Sequence, residues 1–176
     1  MTMSRVEELL DLVEDIEVAM MTTRDSDGHL VSRPMALQKR AAGADFWFVT
    51  SREADVLEQV RADPHLNLAF YKDRTREYVS VSAMAFASDD RAKIRELYAD
   101  DWRVWFGGPD DPLTGPDDPR LALIAVHVDS ARFLSLDKPQ ALVFLQFLKG
   151  MVTKEPVEMG RAHQVSGDEL RTRRAP

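Results

Sequence analysis

Arg33, Pro34, Met35 and Ala36 stand together inside a short apolar stretch that reads as a β-strand. An arginine at such a place offers a planar fork of donors suited to phosphate. Pro34 has no backbone N–H, so its strand must be an edge, a bulge, or a strand facing something other than protein. A flat ligand docked on that strand would use the freed edge. The following strand ends in Val49, Thr50 and Ser51, with Arg52 in the next turn. Hydroxyls and amides at a strand end that leads into a helix suit a phosphate, and equally an ordinary helix cap. Taken singly, Arg33 also reads as a surface arginine at a hairpin end, and Met35 as a core residue. A second group, Trp102, Trp105 and Phe106, precedes the segment Gly107-Gly108-Pro109-Asp110-Asp111-Pro112. These aromatics would stack well on a flat ring or plug a long loop.

Other chemistries are disfavoured by what the chain lacks. With no cysteine among its 176 residues, disulfides, thiolate catalysis and cysteine-based zinc sites are excluded. His29, His65, His127 and His163 show no metal-ligand spacing, so no metal site is assigned. There is no phosphate-binding Gly-rich loop and no Gly-x-Ser-x-Gly nucleophile motif. A net charge of -7 argues against nucleic-acid or anionic-membrane partners. No apolar run is long enough to span a membrane, and Met1–Leu10 has no signal core, which points to a cytoplasmic protein.

The elements that must position these residues follow from periodicity. Ser4 and Glu7 form a capping-box pattern ahead of a helix with Val6, Leu9, Leu10, Val13 and Ile16 on one face. Strands are expected over about 18–23, 30–37, 46–50, 65–71 and 78–86, with a hairpin turn at Asp27-Gly28. A short helix is expected over 54–61, stopped by Asp63-Pro64. Another follows a cap at Ser88 or Asp89. Residues 100–119 read as a loop, 120–128 as a buried strand, 131–134 as a continuation into a bend or another strand, and 142–148 as an apolar helix. One domain over 1–152 and a polar, loose tail over 153–176 complete the reading. Many short strands with inserted helices give a mainly β fold with peripheral helices, a small barrel rather than a βαβ sheet.

The Arg33-Pro34-Met35 strand, the Thr50-Ser51 turn and the tryptophan-rich loop together resemble the pyridoxamine 5′-phosphate oxidase-like flavoproteins, in particular their general-stress-protein group. The resemblance covers about residues 6–150. It implies a split β-barrel of the FMN-binding type, assembled as a homodimer with flavin at the interface. FMN is the implied cofactor, with FAD as a possibility. Arg33 would hold the ribityl-phosphate part, Pro34, Met35 and Ala36 would lie along the ring, and Val49, Thr50, Ser51 and Arg52 would surround the phosphate. Trp105 would come near the flavin from the partner subunit. No catalytic residue is assigned, and a true pyridoxamine 5′-phosphate oxidase is disfavoured because the Arg/Trp-rich C-terminal segment is missing. Where many members carry Ser and Lys in the phosphate turn, this chain reads Arg52-Glu53-Ala54-Asp55, and Gln38 stands where the oxidases carry Lys. A carboxylate at Asp55 would repel a phosphate. Two functions are therefore expected: a flavin-binding protein with a redox role, or a dimeric stress-response module that has lost tight flavin binding.

Overall fold

The structure, a computed structural model, describes residues 4–108, 110–136 and 160–172. Seven strands form one antiparallel sheet: β1 Val18–Arg24, β2 Leu30–Ala36, β3 Phe46–Ser51, β4 His65–Lys72, β5 Glu77–Ser88, β6 Leu121–Ser135 and β7 Arg161–Ser166. Their order is β2-β1-β4-β5-β6-β3, with β7 also paired to β6. The two end strands approach each other at one end only, through a bridge between Leu37 and Phe48 and the Gln38 N–H donating to the Trp47 carbonyl at 2.9 Å. The sheet is thus curled toward closure but open along most of that seam, a split barrel.

The helices are α1 Arg5–Ile16, α2 Asp55–Ala62, α3 Arg91–Leu97, α4 Trp102–Trp105 and α5 Gly167–Thr172. Ser4 and Glu7 make the reciprocal capping box at α1. The buried face of α1, with Val6, Leu9 and Val13, joins the barrel interior, as do Val56, Leu57 and Val60 of α2. The outer face of β3 and β6 carries a separate cluster, in which Trp47, Leu121 and Leu123 pack under Ile94, Leu97, Trp102 and Leu113. These two strands are therefore covered on both sides, which is why their sequence reads as continuous apolar runs. β1, β2, β4 and β5 instead alternate, and their outer face leaves Val18, Met20, Tyr71, Tyr78 and Phe86 exposed.

Three local expectations differ from the structure. Asp90, not Ser88 or Asp89, caps α3, its carboxylate accepting from the Ala92 and Lys93 amides. The 100–119 loop contains the one-turn helix α4. Residues 161–172, placed in a polar tail by composition, form β7 and α5. β7 buries only Val165 in a polar strand, so the apolar pattern that marks a strand is almost absent. The expected helix at 142–148 lies outside the described residues.

On the edge of β6 that β3 and β7 share, Val128 has no strand neighbour, although β5 pairs it with Ala83 on the other edge. Side chains fill the gap. The Asp45 carboxylate accepts from the Val128 N–H at 2.9 Å, and Arg171 Nη1 donates to the Val128 carbonyl at 3.1 Å. Gly167 is required beside them, since a Cβ there would lie 1.9 Å from the Val128 oxygen.

The approach to β6 is held by Asp118, which is 2% exposed. Its carboxylate accepts from the Thr114 and Arg120 amides, the Thr114 hydroxyl and the Arg120 guanidinium. The Arg120 guanidinium, more than the amides, holds this carboxyl well below the usual carboxylate range. A depressed folded-state pKa stabilises the fold above the unfolded value of about 4, and that stabilisation is lost as pH falls toward the folded value. Wild type should therefore exceed Asp118→Asn in urea-unfolding stability at about pH 6, with the margin shrinking steadily toward about pH 2. A margin independent of pH would refute this role.

Candidate functional site

Pro34 sits in the last strand of the sheet path. Its pairing explains why a proline is accepted. The Leu37 N–H bonds the Glu17 carbonyl, and pairs alternate along an antiparallel ladder, so Pro34 opposite Met20 occupies a non-hydrogen-bonded pair. An N–H at that position would point away from β1. The proline therefore costs no ladder bond and leaves the open edge of β2 one donor short.

Residues of β2 alternate between the two faces. Pro34 and Ala36 face outward beside Met20 and Val18. Met35 packs against the barrel core, the plain-strand alternative for its side chain. Arg33 also turns inward and is half-buried. Its Nη1 donates to Thr23 Oγ1 at 2.5 Å and its Nη2 to Gln59 Oε1 at 2.8 Å. The Thr23 hydroxyl donates to the same Gln59 oxygen at 2.6 Å, closing a triangle. Burial pulls the Arg33 guanidinium down from its ordinary range, and the Asp55 carboxylate opposes this. Asp55 and Gln59 are one helical turn apart, so both lie on the flank of α2 that meets Arg33.

The strand-end residues have mixed fates. Val49 is half-buried and packs under the outer cluster. Thr50 is 6% exposed and sits inside the sheet opposite Ala122. Ser51 accepts from the Glu53 amide at 3.3 Å, and its carbonyl accepts from the Ala54 amide. Ala54 then caps α2 without a side-chain hydrogen bond. In the first turn of α2, next to Arg33, the Leu57 amide donates to the Ala54 carbonyl at 2.9 Å, and no side chain caps the amides of Asp55 and Val56. Arg52 lies elsewhere: its Nη2 donates to Asp89 Oδ2 at 2.6 Å. It lines a cavity with Leu57 and Arg61, on the opposite flank of α2 from Gln59. The structure therefore separates Arg33 from Arg52.

The tryptophans also divide. Trp102 is buried and its Nε1 donates to Gln38 Oε1 at 2.8 Å, so it is the plug that anchors the loop. Trp105 is 75% exposed, next to Val104 at 78%. No hydrogen bond or ring contact among the described residues joins Trp105 to β2. Gln38 stands where the oxidases carry Lys. Here it is a brace, since its Nε2 donates to the Ala36 carbonyl while its oxygen holds Trp102. Thr23 and Gln59 were not singled out. The i, i+4 spacing from Asp55 was the available signal for Gln59, but only the docking of α2 on β1 gives it meaning.

The model of the family described as pyridoxamine 5′-phosphate oxidase like matches residues 4–158. The chain belongs to this family. It is 30% identical over 175 residues to protein bli-3 of Neurospora crassa, an alignment covering 97% of this chain and 84% of that one. A protein from Jannaschia sp. CCS1 assigned as general stress protein 26 shares 25% identity at a TM-score of 0.69, covering 90% of this chain and 96% of that one. The general stress FMN/FAD binding protein of Xanthomonas citri has the same fold, with a TM-score of 0.59 at 24% identity, covering 75% and 88%. The split-barrel expectation therefore holds, in the antiparallel sheet and in the relatives alike. Among the described residues no helix is long and apolar enough to cross a membrane. No group of three or more metal-ligating side chains gathers among them either.

The Thr23–Gln59–Arg33 triangle is the support under the site. Gln59→Leu removes the acceptor shared by Thr23 and Arg33 while keeping comparable bulk. Unfolding free energy should drop by about 1–3 kcal/mol, because partly buried donors lose their partner. An unchanged urea midpoint would show that the triangle contributes nothing.

Proposed function

We propose that this family member binds a flavin, FMN in the first instance and FAD as the alternative. The observation that carries the reading is the convergence of Arg33 with the uncapped first turn of α2. Arg33 is half-buried and pre-oriented by Thr23 and Gln59, so little freedom is lost when it meets a phosphate. Amides at the start of α2 add donors of the same sign. The outward face of Pro34 and Ala36, with the neighbouring edge of β2, offers a flat apolar surface for the ring. A name recording FMN/FAD binding in a protein of the same fold supports the same assignment. Thr50 and Ser51 shape the turn, Trp105 reaches the ring from a second subunit, and Arg52, paired with Asp89 on the other flank of α2, stays outside the flavin site. A bound flavin would supply hydride or single-electron chemistry, while the chain supplies position and charge.

A second reading has its own observation. Asp55 stands in the first turn of α2 and is the charge felt by Arg33. A carboxylate there competes with a phosphate for the guanidinium. On this reading the fold serves as a dimeric module without tight flavin binding.

The assembly follows from the outer face of β1, β4 and β5. Val18, Met20, Tyr71 and Tyr78 lie exposed on it, and a homodimer would cover them. Light scattering at micromolar concentration should show about twice the 20.0 kDa chain mass. A monomer alone would contradict the dimer.

The purified protein should absorb in the blue, or acquire that spectrum on addition of FMN. Arg33→Ala should weaken FMN about ten-fold or more, the cost of one charge-assisted contact. Asp55→Lys should tighten FMN, with a gain that shrinks as salt rises and is small for riboflavin, which lacks the phosphate. A colourless protein that takes up no FMN, even as Asp55→Lys, would leave the module reading in place of the flavin one. Tight FMN binding indifferent to both substitutions would move the phosphate away from α2.

A further inference from the structure

Arg52 and Arg61 converge on a cavity of ≈ 340 Å³ on the far flank of α2 from Arg33. Its lining is completed by Leu57, Ala87, Ser88 and Ala122, with Asp89 at the side. Leu57 and Ala122 are 1% and 3% exposed, so the floor is apolar and fixed. The two guanidiniums come from separate elements, Arg52 from the turn after β3 and Arg61 from the last turn of α2. The Arg61 side chain makes no hydrogen bond or ion pair among the described residues. Among the described residues the Arg52 guanidinium is held at its tip by Asp89 alone, whose side chain is 72% exposed. Asp89 is therefore a solvated carboxylate resting in the fork of an arginine, a pairing of small net value that another oxyanion can replace. The Ser88 hydroxyl accepts from the Asp90 amide at 3.3 Å and keeps its own proton to donate.

We propose that this cavity binds a small phosphate monoester, its oxyanion between Arg52 and Arg61 and its apolar body on Leu57, Ala87 and Ala122. Asp89 occupies the Arg52 fork when the ligand is absent. The volume suits a small metabolite rather than a dinucleotide. Two bidentate donors select an oxyanion with several oxygens. The site is independent of Arg33, which faces the other side of the helix.

Phenyl phosphate is the probe, titrated calorimetrically into the full-length protein at constant ionic strength, with inorganic phosphate as the comparison. Phenyl phosphate should bind more tightly than inorganic phosphate. Arg61→Gln should weaken it about ten-fold or more, the loss of one charge-assisted contact. Asp89→Asn should tighten it, because the internal competitor is gone. Arg61 and Asp89 are both exposed, and the two variants are expected to move affinity in opposite directions, which loss of fold would not do. Arg33→Ala should leave phenyl phosphate unaffected. Affinity unchanged in Arg61→Gln, weakened in Asp89→Asn, or abolished in Arg33→Ala would overturn the assignment. So would phenyl phosphate binding no more tightly than inorganic phosphate. FMN affinity is read separately: a protein that takes up no FMN yet binds phenyl phosphate through Arg61 would remove the flavin reading and uphold this site.

Discussion

β6 runs for 15 residues through the middle of the sheet, and both of its edges must find hydrogen-bond partners along that length. β5 satisfies one edge almost completely, with a shift of register at Ser82–Ala83. The other edge is shared by β3 and then β7, and the space between them is filled by Asp45 and Arg171. The filled gap sets where β3 begins, and the pairing of Ser51 with Leu121 at the far end sets where the turn from Thr50 to Asp55 stands. This pairing also fixes the outer cluster of Trp47, Leu121 and Leu123, onto which α3 and the tryptophan loop pack. A break in this strand would release β3 and β7, which pair with it directly.

α2 is the second organiser. It is only eight residues long, yet its two flanks meet different chemistry. One flank presents Asp55 and Gln59 to Arg33, and the other presents Leu57 and Arg61 beside Arg52. Its buried side, Val56 and Val60 with Leu57, locks the rotation of the helix. The helix therefore acts as a partition: cations that are 19 residues apart in the chain, and look like one phosphate site there, face different spaces. Asp55 sets the balance on one side and Asp89 on the other, each a carboxylate positioned to compete with an incoming anion.

The loop between α3 and β6 is long for a connection inside a compact domain, but it is not loose. Arg91 donates to the Asp118 and Leu121 carbonyls, Arg95 pairs with Asp117, and Arg120 grips Asp111, Pro112 and Asp118. With Trp102 anchored on Gln38, the exposed Val104 and Trp105 are held out on a firm base. The exposure of these two side chains is thus built into the fold.

Much of this was legible in the chain. The Ser4–Glu7 box fixed the start of α1, because capping is a local exchange of two hydrogen bonds. Gly28 marked the first hairpin, where φ is 87°, and Pro34 limited its strand to an edge, a bulge or a strand facing something other than protein, of which the edge is what the fold adopts. The residue pattern around Arg33 was sufficient to point to the family. What the chain could not reveal were relations between distant elements. β7 and α5 lack apolar periodicity and exist because β6 offers an open edge. Gln38 became a brace and Gln59 a ligand of Arg33 only through docking of segments far apart in sequence. The separation of Arg33 from Arg52 depends on the rotation of α2, which is set by the side chains it buries in the barrel. Local signals come from near neighbours along the chain, whereas the grouping of charges around a site is decided by packing, and packing belongs to the folded molecule alone.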